Sequence, residues 1–369
     1  EDAYARDFHG PNWLDGRRAS AQYADHDPTV LIVGGGHAGL TAAARLGQLG
    51  VDALIVNPMK RIGDNWRLRY HSLHLHNKTP VNHLPYMPFP ATFPAYIPKD
   101  KLANWLEAYA EAMEVNFWTQ TRFEGAQYDE QTGHWHARCR LKDGSVRELN
   151  PKHIVMATSV SGTPKLPDIP TLDQFAGTCL HSSQYAQGSQ WRGKSVMVLG
   201  TGTSAHDIAQ DLQGHGAHVT MVQRSPTLVV NVDPGAQMYE EIFLGDGPPL
   251  EDRDLLSASM PLALVEKAHK AITRRVREID KPLLDGLEKA GFRLEFGRDD
   301  TGWPLKFRER GGGYYFNIGC SELIIDGQID LIQYHDIERF TAGGVRMKDG
   351  QARAFDLVVL ATGYLGQDH

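Results

Sequence analysis

One glycine signature occurs twice in this chain, and that duplication limits the possible folds more than any other feature. Thr29-Val-Leu-Ile-Val33 is a short β-branched run, and Gly34-Gly-Gly36-His-Ala-Gly39 follows it. Leu40, Ala43, Ala44 and Leu46 then recur at helical spacing within residues 38–49. Gly50 ends that helix, and residues 51–56 form a second apolar run. The pattern is repeated by the strand Ser195-Val-Met-Val-Leu199, the turn Gly200-Thr-Gly202-Thr-Ser-Ala205, a helix over 204–213 and a strand over 218–222. Residues 34 and 200 are too far apart for one βαβ unit and suit two separate units.

The chemistry explains the glycines. In G-x-G-x-x-[GA] the first glycine permits a tight turn. The second lets the backbone approach a pyrophosphate, and the third lets the helix pack on the strand. The helix start offers free N–H groups and a positive dipole end to phosphate. Both copies follow a strand and open a helix, so both predict dinucleotide binding. Their second strands end differently. The first ends at Asn57, where a carboxylate is the usual ribose partner. An amide oxygen can still accept from a ribose hydroxyl, without charge assistance. The second ends in Gln223-Arg224-Ser225, and a guanidinium there suits a 2′-phosphate, pointing to NADPH. Two such sites in one chain commonly pair a flavin with a nicotinamide.

The rest of the sequence narrows the class. The chain has 369 residues, enough for two or three domains. With 41% hydrophobic residues, 22% charged residues and a net charge of −7, it reads as globular and not as a nucleic-acid binder. Cys139, Cys179 and Cys320 are far apart and form no CxxC pair. No apolar run reaches the ~18 residues of a spanning helix. Residues 1–28 are polar, without a clear period, and read as an arm or linker (1–27) lacking a secretory apolar core. Residues 62–98 are rich in Pro, His and aromatics and read as packed loop. A helix is expected over 100–113, an antiparallel meander over 121–149, a connection over 161–194 and a helical insertion over 235–295. Strands resume over 314–360.

Between the two glycine motifs stands Phe175-Ala-Gly177-Thr-Cys-Leu-His181-Ser-Ser-Gln-Tyr185, which matches F-x-G-x-x-x-H-x-x-x-[YFW]. Ala361-Thr-Gly-Tyr364 and Met156-Ala-Thr-Ser159 complete a set that resembles the class B flavoprotein monooxygenases. Gly63-Asp-Asn-Trp66-Arg67, Leu73-His-Leu-His76, Leu84-Pro-Tyr-Met-Pro-Phe-Pro90, Phe93-Pro-Ala-Tyr-Ile-Pro98 and Gly312-Gly-Tyr-Tyr315 look like the YUCCA-type branch. The resemblance runs from about Val30 to Tyr364, with the motifs in the family's order.

That resemblance implies an α/β protein with two Rossmann-like dinucleotide-binding domains, the NADPH domain (175–311) inserted into a discontinuous FAD domain (28–165 and 312–369). A catalytic cleft is expected between them. It implies FAD reduced by NADPH, then O2 adding to give a C4a-(hydro)peroxyflavin that oxygenates a small organic substrate. An amine, a sulfide or an α-keto acid such as indole-3-pyruvate would fit. Expected FAD contacts are Gly34, Gly36, His37, Ala38, Gly39, Asn57, Asp64, Asn65, Trp66, Arg67, His76, Thr362 and Gly363. Expected NADPH contacts are Gly200, Gly202, Thr203, Ser204, Ala205, Arg224 and Ser225. Asn77 falls where related enzymes place a polar residue facing the flavin, with Asn82 as the alternative. Expected partners are the substrate and O2, in a cytoplasmic protein, with a homodimer left open. The family's chain continues beyond A-T-G-Y, whereas five residues follow Tyr364, so the sequence reads as incomplete at its C-terminus.

Plainer readings compete at several positions. His181 could be a catalytic base, but its Pro-rich setting favours ordering of the interdomain linker. His71, His74 and His76 form HxxHxH without a cysteine partner, and no metal is expected. Tyr86, Phe89, Phe93, Tyr96, Tyr314 and Tyr315 are pocket wall or packing. Glu240-Glu-Ile and Arg308-Glu-Arg read as solvated faces. Baeyer–Villiger oxidation of ketones is a second activity within the family, and an uncoupled NADPH oxidase or inactive binding protein a third. A disulfide reductase would need a cysteine pair.

Overall fold

The computed structural model describes residues 10–366, and the start of the expected N-terminal arm lies outside them. The described residues divide into two compact units. One comprises the chain up to Leu68 together with Leu84–Pro88 and Asp100–Ser159. The other comprises Arg69–His83, Phe89–Lys99 and the chain from Val160 onward.

In the first unit, Val30–Val33 lies at the centre of a parallel sheet. Ala53–Val56 and then Asn116–Trp118 stand on one side of it, and His153–Met156 on the other. The central strand is buried along its whole length, as expected of an apolar strand covered on both faces. The helix His37–Gln48 returns the chain between the first two strands. Its buried residues Gly39, Leu40, Ala43 and Ala44 form the stripe that the spacing predicted. The expected meander is present as Arg122–Asp129, His134–Arg140 and Val146–Leu149.

The segment before the first strand is more than an arm. Asn12 caps a helix over Trp13–Ser20, accepting from the Leu14 N–H at 2.9 Å. Trp13 donates to Glu114 at 2.7 Å, and Tyr23 is fully buried with its hydroxyl on Asp52 at 2.7 Å. No helix residue is itself buried, which is why no period showed in the sequence.

The second unit repeats the design with five parallel strands. Their order is Asp330–Gln333, His218–Gln223, Ser195–Leu199, Leu357–Leu360, Thr178–His181. The helix Thr203–Gly214 buries Ala205, His206, Ile208, Ala209 and Leu212. Helices Leu250–Ser259, Leu262–Ile279 and Lys281–Lys289 form the expected helical insertion. Residues 312–369 had been expected to return to the first domain. Instead Leu357–Leu360 pairs with both Ser195–Leu199 and Thr178–His181, and Tyr314–Asn317 pairs with Leu228–Asn231. The reason is local. Asp356 accepts from the Ser195 N–H at 2.9 Å, and Leu357, Val358 and Val359 are fully buried in this sheet.

Candidate functional site

The first cradle is shaped by contacts that exclude side chains. Gly34 has φ +109°, and a Cβ there would lie 2.3 Å from the Ala157 carbonyl oxygen. At Gly39 a Cβ would lie 1.9 Å from the Gly34 oxygen, so the helix rides directly on the turn. Gly36 stands at the helix start, followed by His37 and Ala38, with the Asn65 amide nitrogen 3.3 Å from where its Cβ would be. Around this helix start, His37 Nε2, Asn65 Oδ1 and Trp66 Nε1 are buried with no hydrogen-bond partner. The Trp66 ring meets His37 edge-on at 5.9 Å, and burial holds the His37 imidazole down to about 4. Buried polar atoms are normally paired, so this cluster fits a ligand that brings its own donors and acceptors.

The remaining first-unit residues divide between site and scaffold. Asn57 stands at the end of its strand as expected, but its Oδ1 already accepts from the Met59 N–H at 2.8 Å. Asp64 and Arg67 pair with each other. Asp64 also accepts from the Arg61 N–H, and Arg67 donates to the Ile62 oxygen at 3.2 Å. These two lock the turn that presents Asn65 and Trp66.

The second cradle has the same backbone logic. Gly200 has φ +133°, with a virtual Cβ 2.4 Å from the Ala361 oxygen, and Gly202 stands at the helix start. Thr203 donates to the Tyr314 oxygen at 2.9 Å, Ser204 is part-exposed, and Ala205 is buried. Arg224 and Ser225 are exposed at the end of the second strand. Sequence reasoning missed Arg293, which donates to the Arg224 carbonyl at 2.7 Å and keeps a buried Nε without a partner. Nothing in its own neighbourhood marks it, because a bridge between Thr227 and Leu294 brings it there.

His181 is buried, and both ring nitrogens are engaged. Nδ1 accepts from the Ser183 N–H at 3.1 Å, and Nε2 donates to the Gly363 carbonyl at 3.0 Å. Burial lowers its proton affinity and so favours the neutral ring. The other motif residues are equally tied down. Tyr185 donates to Asp211 at 2.6 Å, and a Cβ on Gly177 would strike the Phe175 ring at 2.4 Å. Gly363 also accepts from the Lys165 N–H, and the Thr362 hydroxyl donates to the Lys165 oxygen at 2.6 Å. Thr362 and Gly363 therefore tie two stretches of the second unit together. Arg69 Nε and the Tyr364 hydroxyl, also missed, are buried and unpartnered beside them, with the guanidinium 5.4 Å from the Tyr364 ring.

A second polar cluster surrounds Asn77. Its Nδ2 donates to Glu240 at 2.5 Å. Asn82, the alternative, donates to the Asn77 and Lys78 carbonyls and so caps the local turn. The His76 ring packs edge-on against Phe316 at 4.7 Å and Tyr314 at 6.0 Å, and burial holds it down to about 4. His74 instead faces the Ser72 oxygen. Glu240 corrects the expectation of a solvated Glu240-Glu-Ile face: Glu241 and Ile242 are exposed, whereas Glu240 is buried.

The comparisons agree with this geometry. The family model for pyridine nucleotide-disulphide oxidoreductases matches residues 28–247. The chain is 32% identical to the indole-3-pyruvate monooxygenase YUCCA1 of Oryza sativa subsp. japonica, over 95% of this chain and 80% of that protein. It is also 32% identical to a probable indole-3-pyruvate monooxygenase, YUCCA9, of Arabidopsis thaliana, over 90% and 74%. Among solved structures, a flavin-containing monooxygenase from Stenotrophomonas maltophilia superposes with a TM-score of 0.61 at 20% identity, covering 92% of this chain and 79% of that one. A cyclohexanone monooxygenase mutant from Rhodococcus sp. Phi1, bound to NADP+, gives 0.67 at 18%, over 93% and 73%. Two dinucleotide cradles on parallel sheets, in a chain matched by this family model, make it an oxidoreductase of the pyridine nucleotide-disulphide family. Within that class it belongs to the YUCCA-like branch of the class B flavoprotein monooxygenases, enzymes that use FAD and NADPH. Its three cysteines are free, so the disulfide chemistry in the family's name has no cysteine pair here. No helix among the described residues is long and apolar enough to cross a membrane.

Proposed function

We propose that this enzyme oxygenates indole-3-pyruvate or a closely similar aryl α-keto acid, in the cytoplasm, with O2 and the keto acid as its partners. The near full-length match to relatives named for that substrate carries the reading. In it, the first unit holds FAD. Gly34, Gly36 and Gly39 admit the pyrophosphate to the start of the helix at His37 and Ala38, where the His37, Asn65 and Trp66 side chains supply groups that the protein itself leaves unpaired. The second unit holds NADPH at Gly200, Gly202, Thr203, Ser204 and Ala205, with Arg224, Ser225 and Arg293 at the 2′-phosphate. FAD held there would supply the hydride-accepting and O2-activating chemistry, with NADPH as the hydride source. The residues of this chain bind, orient and exclude water around that chemistry. His181 acts by position: both its nitrogens are engaged, and it fixes Gly363 and Tyr364.

The test is oxygen and NADPH consumption by the FAD-loaded protein with indole-3-pyruvate, an amine, a sulfide and cyclohexanone offered in parallel. Under 18O2 the favoured substrate should give a product carrying one labelled atom. Turnover of cyclohexanone to a lactone, with indole-3-pyruvate inert, would replace this reading with Baeyer–Villiger oxidation.

A further inference from the structure

Glu240 is a buried carboxylate of the second unit that neither cradle accounts for, and one of its oxygens has no partner. It sits between two short turns, Ala236–Tyr239 and Glu241–Phe243. Its Oε1 accepts from Asn77 Nδ2, while its Oε2 is buried with no partner. It makes no ion pair among the described residues. Its neighbours are phenols: the Glu240 charge disfavours ionisation of both Tyr314 and Tyr96. Beyond Tyr96 lies Asp233, which accepts from Tyr96 at 2.6 Å and pairs with Lys78 at 2.7 Å. Three residues before Glu240, Gln237 reaches the same segment, donating to the His76 carbonyl at 3.4 Å. The His76–Asn77 stretch is thus gripped from one side, and Asn77 Oδ1 makes no hydrogen bond to the described protein.

We propose that Glu240 is a positioning residue whose carboxyl group decides which end of the Asn77 amide faces away from it. An ionised carboxylate can only accept, so it must meet the NH2 end and leave Oδ1 outward as an acceptor. A protonated carboxyl can donate to Oδ1, which turns the NH2 end outward as a donor. Burial pushes the Glu240 carboxyl up to about 7 against the opposing pull of the Asn77 bond, so both forms are populated near neutrality. The inference rests on the proposed function only for what the outward end of Asn77 acts on. The link between Glu240 and Asn77 stands without it.

The experiment has two readouts. In cofactor-free protein, infrared titration of the carboxyl band should show a midpoint near neutrality that Glu240→Gln removes. Asn77→Ala should move it upward, because a donor that stabilises the carboxylate is lost. In FAD-loaded protein, the share of consumed NADPH released as H2O2 should change about ten-fold between pH values one unit either side of the midpoint. Glu240→Gln can still accept from Asn77, so it should fold normally and give a flat profile. A profile that keeps its inflection in Glu240→Gln, or a midpoint unmoved by Asn77→Ala, overturns the proposal. Wild-type protein that takes up no FAD and oxidises no NADPH would sink the proposed function instead, and the infrared titration would still decide the pairing.

Discussion

The two cradles share one backbone and differ in fit. Each begins with a glycine of positive φ pressed against an alanine carbonyl, Gly34 on Ala157 and Gly200 on Ala361. Each of those alanines follows the strand flanking the glycine strand on its far side, and donates back to it, Ala157 to Val33 at 2.8 Å and Ala361 to Leu199 at 2.9 Å. The third motif position separates them. At Gly39 no methyl fits, whereas the second unit carries a buried Ala205 there. The helix core differs too: Leu40 in the first helix, one place after Gly39, corresponds to His206 in the second. A common turn therefore tolerates a different third residue and different core chemistry, and the strand ends differ as well, Asn57 buried against Arg224 exposed.

Gly39→Ala should have the largest effect. Its new methyl would lie 1.9 Å from a backbone oxygen, which cannot yield as a side chain would. Overpacking of this kind costs about 1–3 kcal/mol or more. Thermal unfolding and the flavin-to-protein absorbance ratio should both fall. The mirror change, Ala205→Gly, should cost only about 0.5–1 kcal/mol of helix propensity and leave flavin content alone. Equal losses from the two would mean that the cradles are not packed differently.

His206 makes the second unit acid-sensitive where Leu40 cannot be. Its ring stacks on Tyr315 at 3.9 Å, fully buried, and burial holds it down to about 4. The folded form binds the proton less readily than the unfolded form, whose value is near 6.5. Stability is therefore full above about 6.5 and is lost as pH falls toward about 4, by on the order of 3 kcal/mol for this one group. His206→Phe keeps a stacked ring and should flatten that part of the melting-temperature profile. An unchanged acid slope would show that His206 contributes nothing to it.

These contrasts also mark what could be read in advance. Both βαβ openings, the meander and the helical insertion were legible, because apolar period and glycine spacing are local properties. The sheet to which Leu357–Leu360 belongs was not. Four consecutive buried apolar residues would suit the centre of either sheet, and nothing in them encodes a partner. Glu240 and Arg293 were missed for the same reason. Glu240 beside Glu241 looks solvated until Asn77, from a distant stretch, is placed against it. The Trp13–Ser20 helix is held by Glu114 and Asn116 and not by a stripe of its own.

Arg224→Ala should follow in size. Hydrogen bonds to charged groups contribute about 1.5–3 kcal/mol, so KM for NADPH should rise roughly 10- to 100-fold while that for NADH stays put. Arg293→Ala should act in the same direction more weakly, since one of its nitrogens is already committed to the Arg224 carbonyl. Equal changes for both coenzymes would remove the 2′-phosphate from this corner.

Asn57→Asp tests the other strand end and should have the smallest effect. Asn57 already uses its Oδ1 on the Met59 N–H, and its Nδ2 lies 3.0 Å from the virtual Cβ of Gly35. Aspartate keeps the turn and replaces that NH2 by a second acceptor, the group a ribose hydroxyl requires. The gain is limited because the position is buried, and desolvation offsets part of the charge-assisted bond. FAD release, followed by the rise of free-flavin fluorescence after dilution, should slow by a few-fold, about 1 kcal/mol. Release at the wild-type rate would mean that the strand end does not meet the ribose, and the first cradle would then hold its cofactor through the helix start and the His37, Asn65 and Trp66 cluster alone.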